Sequence, residues 1–182
     1  MNLILEFVKQ NPDQVNAFSA ICALVVSFLS IILTVVSLLL QRRHNFKSLT
    51  PIASVIFDDY EDMVALKLKN TGVGPLIVEK FIATDGVEKK DNLISWMPNT
   101  PAGILWDNFY VYLDGIVVPP GEEVDILKLR GNINKESFNI FRDDVRKALS
   151  RLTVIIEYRD IYNRRMKGNQ RNLQWFGRHF NK

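Results

Sequence analysis

The feature that most constrains this 182-residue chain is a run of 24 residues, Ala17–Leu40, without a charged residue, a glycine or a proline. A bilayer core about 30 Å thick is crossed by roughly 20 helical residues. A helix buried in a soluble core would show a polar, charged face, and this run has none. It is also too long for the apolar part of a cleavable secretory signal. The run predicts a transmembrane helix over residues 12–45, after a short N-terminal segment, residues 1–11.

Basic residues beside this run predict its orientation. Arg42, Arg43 and Lys47 follow it, whereas Lys9 is the one lysine or arginine before it. Flanking basic residues stay on the cytoplasmic side of a membrane. We therefore expect a single-pass protein of the inner cell membrane, with its N-terminus outside and its C-terminal domain in the cytoplasm. The reverse orientation, with the domain as an envelope component, is the alternative.

Small and polar residues recur in this segment at spacings of three and four. They are Ala23, Ser27, Ser30, Thr34, Ser37 and Gln41. A period of 3.5 residues keeps one narrow face toward a partner helix, and small residues let two helices approach closely. This face predicts association with a second copy of the chain or with another membrane protein. The alternative is that the hydroxyls bond carbonyls of their own helix and that the register is accidental.

The chain beyond a linker, residues 46–50, predicts one mainly β domain over residues 51–182. Short apolar or alternating segments are separated by turn signals such as Asn70–Pro75 and Asp85-Gly86. One helix is predicted after a cap at Asn134, with an apolar stripe of Phe138, Phe141, Val145 and Leu149. The predicted strands are 52–57, 63–69, 76–84, 93–97, 109–113, 116–118, 124–129, 152–158 and 165–175. Short strands with one connecting helix are typical of a β-sandwich.

Three segments of this domain resemble turn motifs of immunoglobulin-like bacterial domains, and they occur in the same order. The segments are NTGVGPLIV (70–78), VPPGEEVDI (118–126) and VIIEYRDIYN (154–163). The resemblance covers about residues 50–175 and implies an immunoglobulin-like β-sandwich, of the kind found in bacterial single-pass membrane proteins. Residues 87–110 depart from it, and their arrangement is not predicted. Turn motifs of this kind bear on the fold rather than on an activity.

No catalytic constellation emerges from the residue types and their spacing. Cys22 is the only cysteine and lies in the apolar run, and the two histidines, His44 and His179, are far apart in the sequence. A zinc set and a Cys–His nucleophile both need more of these residues, and phosphate-binding glycine motifs are missing. We therefore expect a protein that is not an enzyme and that carries no cofactor or metal.

Two acidic features of the domain are expected to be structural. The cluster Asp58–Asp62 lacks the glycine and the ligand spacing of a calcium loop, which favours a solvated turn over a cation site. Tyr158, Asp160 and Asn163 predict a turn at a strand end, in which Asp160 accepts hydrogen bonds from backbone N–H groups.

The C-terminal stretch combines basic residues with interleaved aromatic residues. The basic residues are Arg164, Arg165, Lys167, Arg171 and Arg178. This pattern predicts contact with anionic lipid. Nucleic acid, which similar surfaces bind by stacking, is disfavoured because the whole chain carries a net charge of only +3. The alternative is a final strand with its aromatic residues in the core, and with cations that are solvated or paired with the cluster Asp58–Asp62.

These patterns together predict a membrane-anchored, non-enzymatic binding or scaffold module. It would present a β-sandwich to a protein ligand at the cytoplasmic face and self-associate through its membrane helix. The second hypothesis is a membrane effector whose oligomerised helices form or gate a pore under the control of the β domain. The identity of the partner and the number of subunits are not predicted.

Overall fold

A computed structural model describes residues 12–180, which fall into two units that divide between residues 47 and 48. The predicted segment 1–11 lies outside the described residues. The first unit is a continuous helix, α1, over Pro12–Ser48, with Asp13 in its first turn. An acidic residue at this position complements the positive N-terminal end of the helix dipole. Helix α1 is long and apolar enough to cross a membrane, and it is the one such helix among residues 12–180.

Helix α1 ends three residues later than the sequence predicts. Residues 46–48 of the predicted linker are helical, so only residues 49–52 separate α1 from the first strand. No glycine or proline interrupts the helix before this point. Pro51 then disfavours the helical conformation at Thr50, which precedes it.

The second unit contains nine β-strands, a second α-helix and two short 3-10 helices. The strands are β1 (Ala53–Asp59), β2 (Met63–Asn70), β3 (Leu76–Thr84), β4 (Lys89–Lys90), β5 (Trp106–Phe109), β6 (Val117–Val118), β7 (Glu123–Arg130), β8 (Thr153–Arg159) and β9 (Asn169–Asn172). The helices are η1 (Ile94–Trp96), α2 (Glu136–Ser150) and η2 (Gln174–His179).

The strands form two antiparallel sheets, as a β-sandwich requires. One sheet has the order β1-β2-β7-β5, and the other has the order β4-β3-β8-β9. Strand β6 pairs with the start of β3, on the edge opposite β8, because Ile77 has both Val117 and Arg159 as partners. A single hydrophobic core takes residues from both sheets, from α2 and from η2. The coarse prediction of a mainly β domain with one connecting helix is confirmed.

Helix α2 joins the two sheets, since it lies between β7 and β8. Its predicted stripe is correct, because Phe138, Phe141, Val145 and Leu149 are all buried. The aromatic ring of Phe141 meets the ring of Trp106 edge-on at 5.8 Å. The predicted cap at Asn134 is wrong. The helix is capped at Lys135, because the N–H of Asn134 instead donates to the Asn132 side chain in a preceding turn.

Three predicted strands differ from the structure, two of them because an asparagine side chain starts a 3-10 helix. Residues 93–97 contain the 3-10 helix η1. At its start, the Asn92 side chain accepts a hydrogen bond from the N–H of Ser95 at 2.9 Å. In the segment 109–113 only Phe109 belongs to a strand. Strand β9 covers only part of 165–175, because Asn172 accepts from the N–H of Gln174 at 2.7 Å where η2 begins.

Asn70 holds together the end of the sandwich at which β1 begins. Its buried side-chain amide donates to the carbonyls of Gly74 at 2.7 Å and Val118 at 3.0 Å. Its side-chain oxygen accepts from the N–H groups of Gly72 at 3.0 Å and Ile52 at 3.3 Å. One residue thus satisfies the backbone of three separate segments, which is the structural role of the NTGVGP motif.

Replacing Asn70 should destabilise the sandwich severely. An Asn70→Ala variant leaves these backbone groups without a partner, and we expect a loss of about 2–4 kcal/mol in the free energy of unfolding. All three tryptophans lie in the sandwich, so tryptophan fluorescence of the full-length protein in micelles measures its thermal unfolding. The exposed residue Asn134, changed to alanine, is the control and should melt like the wild type. Equal melting of both variants would contradict the role given to Asn70.

Candidate functional site

The predicted association face of α1 is a continuous stripe. At about 100° per residue, its six positions lie within an arc of about 80° on the helix surface. They are Ala23, Ser27, Ser30, Thr34, Ser37 and Gln41, and all are exposed. Arg42 and Arg43 are exposed in the same helix beyond the apolar run, and Lys47 lies in its last turn.

Two hydroxyls of this stripe bond within their own helix. Ser30 donates to the carbonyl of Val26 at 2.8 Å, and Thr34 donates to the carbonyl of Ser30 at 2.7 Å. This is the bonding that the alternative interpretation of the sequence described. It satisfies both donors inside the helix and leaves the small size of these side chains as the property that favours close helix packing.

The strands of the sandwich define two ends, which we call proximal and distal. The proximal end contains the start of β1, the end of β2, the starts of β3 and β7, and the end of β8. Ala53 pairs there with Asn70, and Ile77 pairs with Arg159. The distal end is where β1 ends at Asp59 and β8 begins at Thr153. Candidate residues that are neighbours in sequence fall at different ends.

The loop between β8 and β9, residues 160–168, belongs to the proximal end and is built around Asp160. Its buried carboxylate accepts from the N–H groups of Tyr162 and Arg164, each at 2.9 Å, and binds the Arg164 side chain at 2.6–2.7 Å. Asn163 adopts a left-handed conformation, with φ of 62°. The predicted turn around Asp160 is confirmed.

Hydrogen bonds keep Asp160 charged despite its burial. Burial alone would raise the pKa of this carboxyl, but the N–H and guanidinium of Arg164 and the N–H of Tyr162 together outweigh it and hold the pKa below its usual value. Asn169, the first residue of β9, donates from its side chain to the carbonyl of Ala53 at 2.8 Å. The loop is therefore ordered internally and fastened to the start of β1.

The distal end is organised by a buried ion pair between Asp59 and Arg146. The guanidinium of Arg146, which lies on α2, binds the Asp59 carboxylate through two nitrogens at 2.6 and 2.7 Å and donates to the carbonyl of Tyr60 at 2.8 Å. Arg178 and His179, in η2, contact the other oxygen of Asp59 at 2.5 and 3.2 Å. One carboxylate thus joins β1, α2 and η2.

The acidic cluster Asp58–Asp62 does not form a solvated turn throughout. Asp59 is buried in the ion pair with Arg146, and Asp58 binds Lys67 at 2.8 Å. Hydrogen bonds to Asp58 and Glu123 raise the pKa of Lys67 well above its usual value. Among the described residues, no group of three or more His, Cys, Asp or Glu side chains is arranged to hold a metal ion.

The predicted anionic-lipid residues are divided between the two ends. Arg164, Arg165 and Lys167 lie in the proximal loop, where Arg165 also contacts Glu79 at 3.1 Å. Arg171 is paired with Val154 in the distal half of β9 and stacks on Phe57. Arg178 is at the distal end, against Asp59 and 3.4 Å from the centre of the Trp175 ring.

Aromatic residues of the C-terminal stretch are similarly divided. Phe176 is fully buried in the core, as the alternative interpretation expected, and Trp175 is partly exposed between Phe57 and Arg178. Tyr162 lies exposed in the proximal loop beside Ile161. The five predicted cations therefore do not form one surface.

The sequence interpretation missed an exposed apolar segment around β5. Strand β5 ends its sheet, and no strand of the described region pairs with its outer edge. Leu105 is 83% exposed just before the strand, and Tyr112 is 74% exposed just after it, with Phe109 and Val111 between them partly exposed. The sequence predicts a strand over 109–113 and no arrangement for residues 87–110, because apolar character alone does not distinguish a buried strand from an exposed sheet edge.

Comparison of the chain with protein-family models, with curated proteins and with solved structures finds no match. The class that the structure itself defines is a β-sandwich preceded by one helix that is long and apolar enough to span a membrane.

Removing the charge of Asp160 should make the proximal loop less stable at neutral pH. Because its pKa is lower in the folded protein than in the unfolded chain, the carboxylate stabilises the fold above about pH 4, and this contribution disappears as the pH falls through the folded value. We expect Asp160→Asn to lower the free energy of unfolding by about 2 kcal/mol at pH 7. The difference from the wild type should shrink toward pH 3.

Asp144→Asn is the control for this measurement, because Asp144 is half exposed and, among residues 12–180, forms its ion pair with Lys147 of its own helix. It should shift stability by less than about 0.5 kcal/mol at either pH. Denaturant unfolding followed by tryptophan fluorescence at pH 3, 5 and 7 measures all three proteins. A pH-independent gap for Asp160→Asn would refute the charge-based explanation.

Proposed function

We propose that this protein is a non-enzymatic binding module anchored in the inner cell membrane by α1, with its sandwich in the cytoplasm. The anchor rests on the length and apolar character of α1. The orientation rests on Arg42, Arg43 and Lys47, which follow the apolar run. The binding role rests on the exposed apolar edge at β5.

The sandwich is proposed to be immunoglobulin-like, and its strand order supports this. An immunoglobulin domain places strands A, B, E and D in one sheet and C, F and G in the other. Assigning β1, β2, β7 and β5 to A, B, E and D leaves β3, β8 and β9 as C, F and G, in the observed order. Helix α2 would then be an insertion between strands E and F. An experimental structure with another strand order would remove this assignment.

The observation that carries the binding role is the chemistry of the β5 edge. An unpaired strand edge offers backbone N–H and carbonyl groups to an extended segment of another protein, and apolar side chains beside it supply contact area. Leu105 and Tyr112 flank the edge at its two ends and are among the most exposed large apolar residues of the sandwich. We assign a protein ligand with an extended segment as the partner of this edge.

Self-association through α1 is the second part of the proposal. The stripe from Ala23 to Gln41 presents small residues along one face, while large apolar residues such as Ile32 and Val36 occupy the opposite face. Because two backbones approach most closely where side chains are small, this stripe favours a helix dimer or a higher oligomer. Multiple copies would present several β5 edges together and increase the avidity for a multivalent partner.

One pull-down experiment tests both contacts. Two differently tagged full-length copies are co-expressed and isolated in mild detergent, and the second copy and the bound proteins are quantified. We expect Leu105→Asp/Tyr112→Asp to reduce an identified protein ligand at least tenfold, because a charge is placed in the apolar contact. The second copy should be retained.

The stripe variant Ser30→Leu/Thr34→Leu should give the opposite result. It should lose the second copy and retain the ligand on each remaining chain. The matched controls are Val87→Asp/Ile140→Asp, at exposed apolar residues away from β5, and Ile32→Leu/Val36→Leu, on the opposite face of α1. A ligand that binds the β5 variant as well as the wild type rules out the edge as its site. An unchanged oligomer in the stripe variant rules out the stripe as the association face.

The orientation is tested with a C-terminal epitope tag and protease. In spheroplasts the tag should survive protease added outside, and in inverted membrane vesicles it should be removed. Detergent-permeabilised spheroplasts provide the control for protease access. Loss of the tag in intact spheroplasts would place the sandwich on the outer side and reverse the proposal.

A further inference from the structure

We propose that the proximal loop, residues 160–168, is a second membrane contact, which binds anionic phospholipid headgroups. This inference rests on the proposed membrane anchor and identifies which part of the sandwich touches lipid. It is argued from the position of the loop, its charge and its exposed apolar residues.

Chain connectivity restricts how far the proximal end lies from the membrane helix. Helix α1 ends at Ser48, and β1 begins at Ala53. With the four residues 49–52 between them, Ser48 and Ala53 are at most about 17 Å apart even when the chain is fully extended. Because Asn169 bonds the carbonyl of Ala53, the loop that precedes Asn169 is fastened to the end of this short tether. The distal end lies a full strand length away from it.

The charge of this loop suits an anionic surface. Residues 159–168 contain four cations, Arg159, Arg164, Arg165 and Lys167, against one carboxylate, Asp160. The Arg165 side chain is 83% exposed despite its contact with Glu79. Lys167 is also exposed. Each cation near an anionic bilayer strengthens binding about fivefold, so the two most exposed cations favour contact by a tethered domain.

Exposed apolar residues in and beside the loop favour a bilayer surface over a free anion as its ligand. Ile161 and Tyr162 are about half exposed at the tip of the loop. Amphipathic rings such as tyrosine favour the headgroup level of a membrane. Ile52 and Val73 are exposed at the same end of the sandwich. The carboxylate of Asp160 holds the loop in one conformation, so little entropy is lost when these residues meet lipid.

Glu157, in β8, is exposed and lines the same surface depression as Arg159 and Arg165, whereas the acidic residues nearer the proximal end contact a cation or lie on the other sheet. Glu79 contacts Arg165 at 3.1 Å, and Glu123, at the start of β7, binds Lys67 at 2.8 Å. Glu122 is exposed in the turn before β7, on the other sheet. The positive surface is therefore limited to the loop, and we expect contact along the loop rather than across the whole proximal end.

Site-specific fluorescence in vesicles tests this contact. In a Cys22→Ser background, an environment-sensitive fluorophore is attached to Ile161→Cys, and the full-length protein is reconstituted with lipids that carry a headgroup-level quencher. We expect strong quenching in vesicles with 30% phosphatidylglycerol. Quenching should be much weaker in pure phosphatidylcholine, and it should weaken at 0.5 M NaCl because salt screens exposed charges.

Matched variants separate the loop from the rest of the surface. Val87→Cys, in the exposed distal turn after β3, carries the control fluorophore and should remain unquenched. Arg165→Glu/Lys167→Glu should reduce the bound population at least fivefold for each reversed cation. The control Lys89→Glu/Arg151→Glu reverses two exposed distal cations and should change nothing.

Equal quenching at residues 161 and 87, or quenching independent of anionic lipid, would overturn the loop contact. A fluorescence change on adding single-stranded DNA without lipid would overturn it in favour of a nucleic-acid surface. Flotation of the same samples tests the anchor separately, because α1 should carry every variant into vesicles of either composition. Protein that does not float contradicts the proposed anchor, whereas floating protein without quenching contradicts the loop contact alone.

Discussion

The short connection between α1 and the sandwich is the constraint on which the rest of the molecule depends. Because α1 ends at Ser48, only residues 49–52 are available before β1 begins. Gly72 and Gly74 pack so closely against the backbone of residues 49–52 that neither position has room for a Cβ atom. Asn70 bonds the N–H of Ile52 from the same loop. Residues 49–52 are thereby part of the folded domain.

The two ends of the sandwich are stabilised by different chemistry. At the proximal end, Asn70 and Asp160 satisfy backbone groups of neighbouring loops, so the loops are ordered while their other side chains remain exposed. At the distal end, Asp59 and Arg146 form a buried ion pair across elements that are distant in sequence. Burial would raise the pKa of Asp143 beside this pair, but Arg142 and Arg146 outweigh burial and keep the pKa low. The distal end is thus cross-linked by charge, and its cations Arg142, Arg146 and Arg178 have acidic partners inside the fold.

The sequence predicts those parts of the structure that depend on local patterns. The strand Leu76–Thr84 is correct to the residue, because its alternation and the Asp85-Gly86 turn are both local signals. The turn around Asp160 and the buried stripe of α2 are correct for the same reason. The predicted strands 93–97 and 165–175 fail because an asparagine side chain next to or within each segment starts a 3-10 helix, which apolar content does not reveal.

Candidate surfaces are harder to predict, because they depend on which distant residues become neighbours. Nothing local in Arg178 indicates that it folds against Asp59, more than a hundred positions earlier, whereas Arg165 remains exposed. The same limit applies at β5, where apolar content alone does not show that Leu105 and Tyr112 are exposed beside an edge strand. Hydrophobic and charged runs therefore identify residues that can form a surface, and the strand topology determines which of them are exposed side by side.

The division between the ends places the two proposed contacts, a protein ligand at β5 and a bilayer at the proximal loop, on separate parts of the domain. The β5 edge runs along the side of the sandwich. Strand β5 pairs with Leu129 and Leu127 of β7, and the N–H of Tyr110, just after β5, donates to the carbonyl of Ile126. The proximal loop lies at the end of the other sheet, beyond β8. Because these surfaces belong to different sheets, a protein on β5 and a bilayer at the loop do not compete for the same residues.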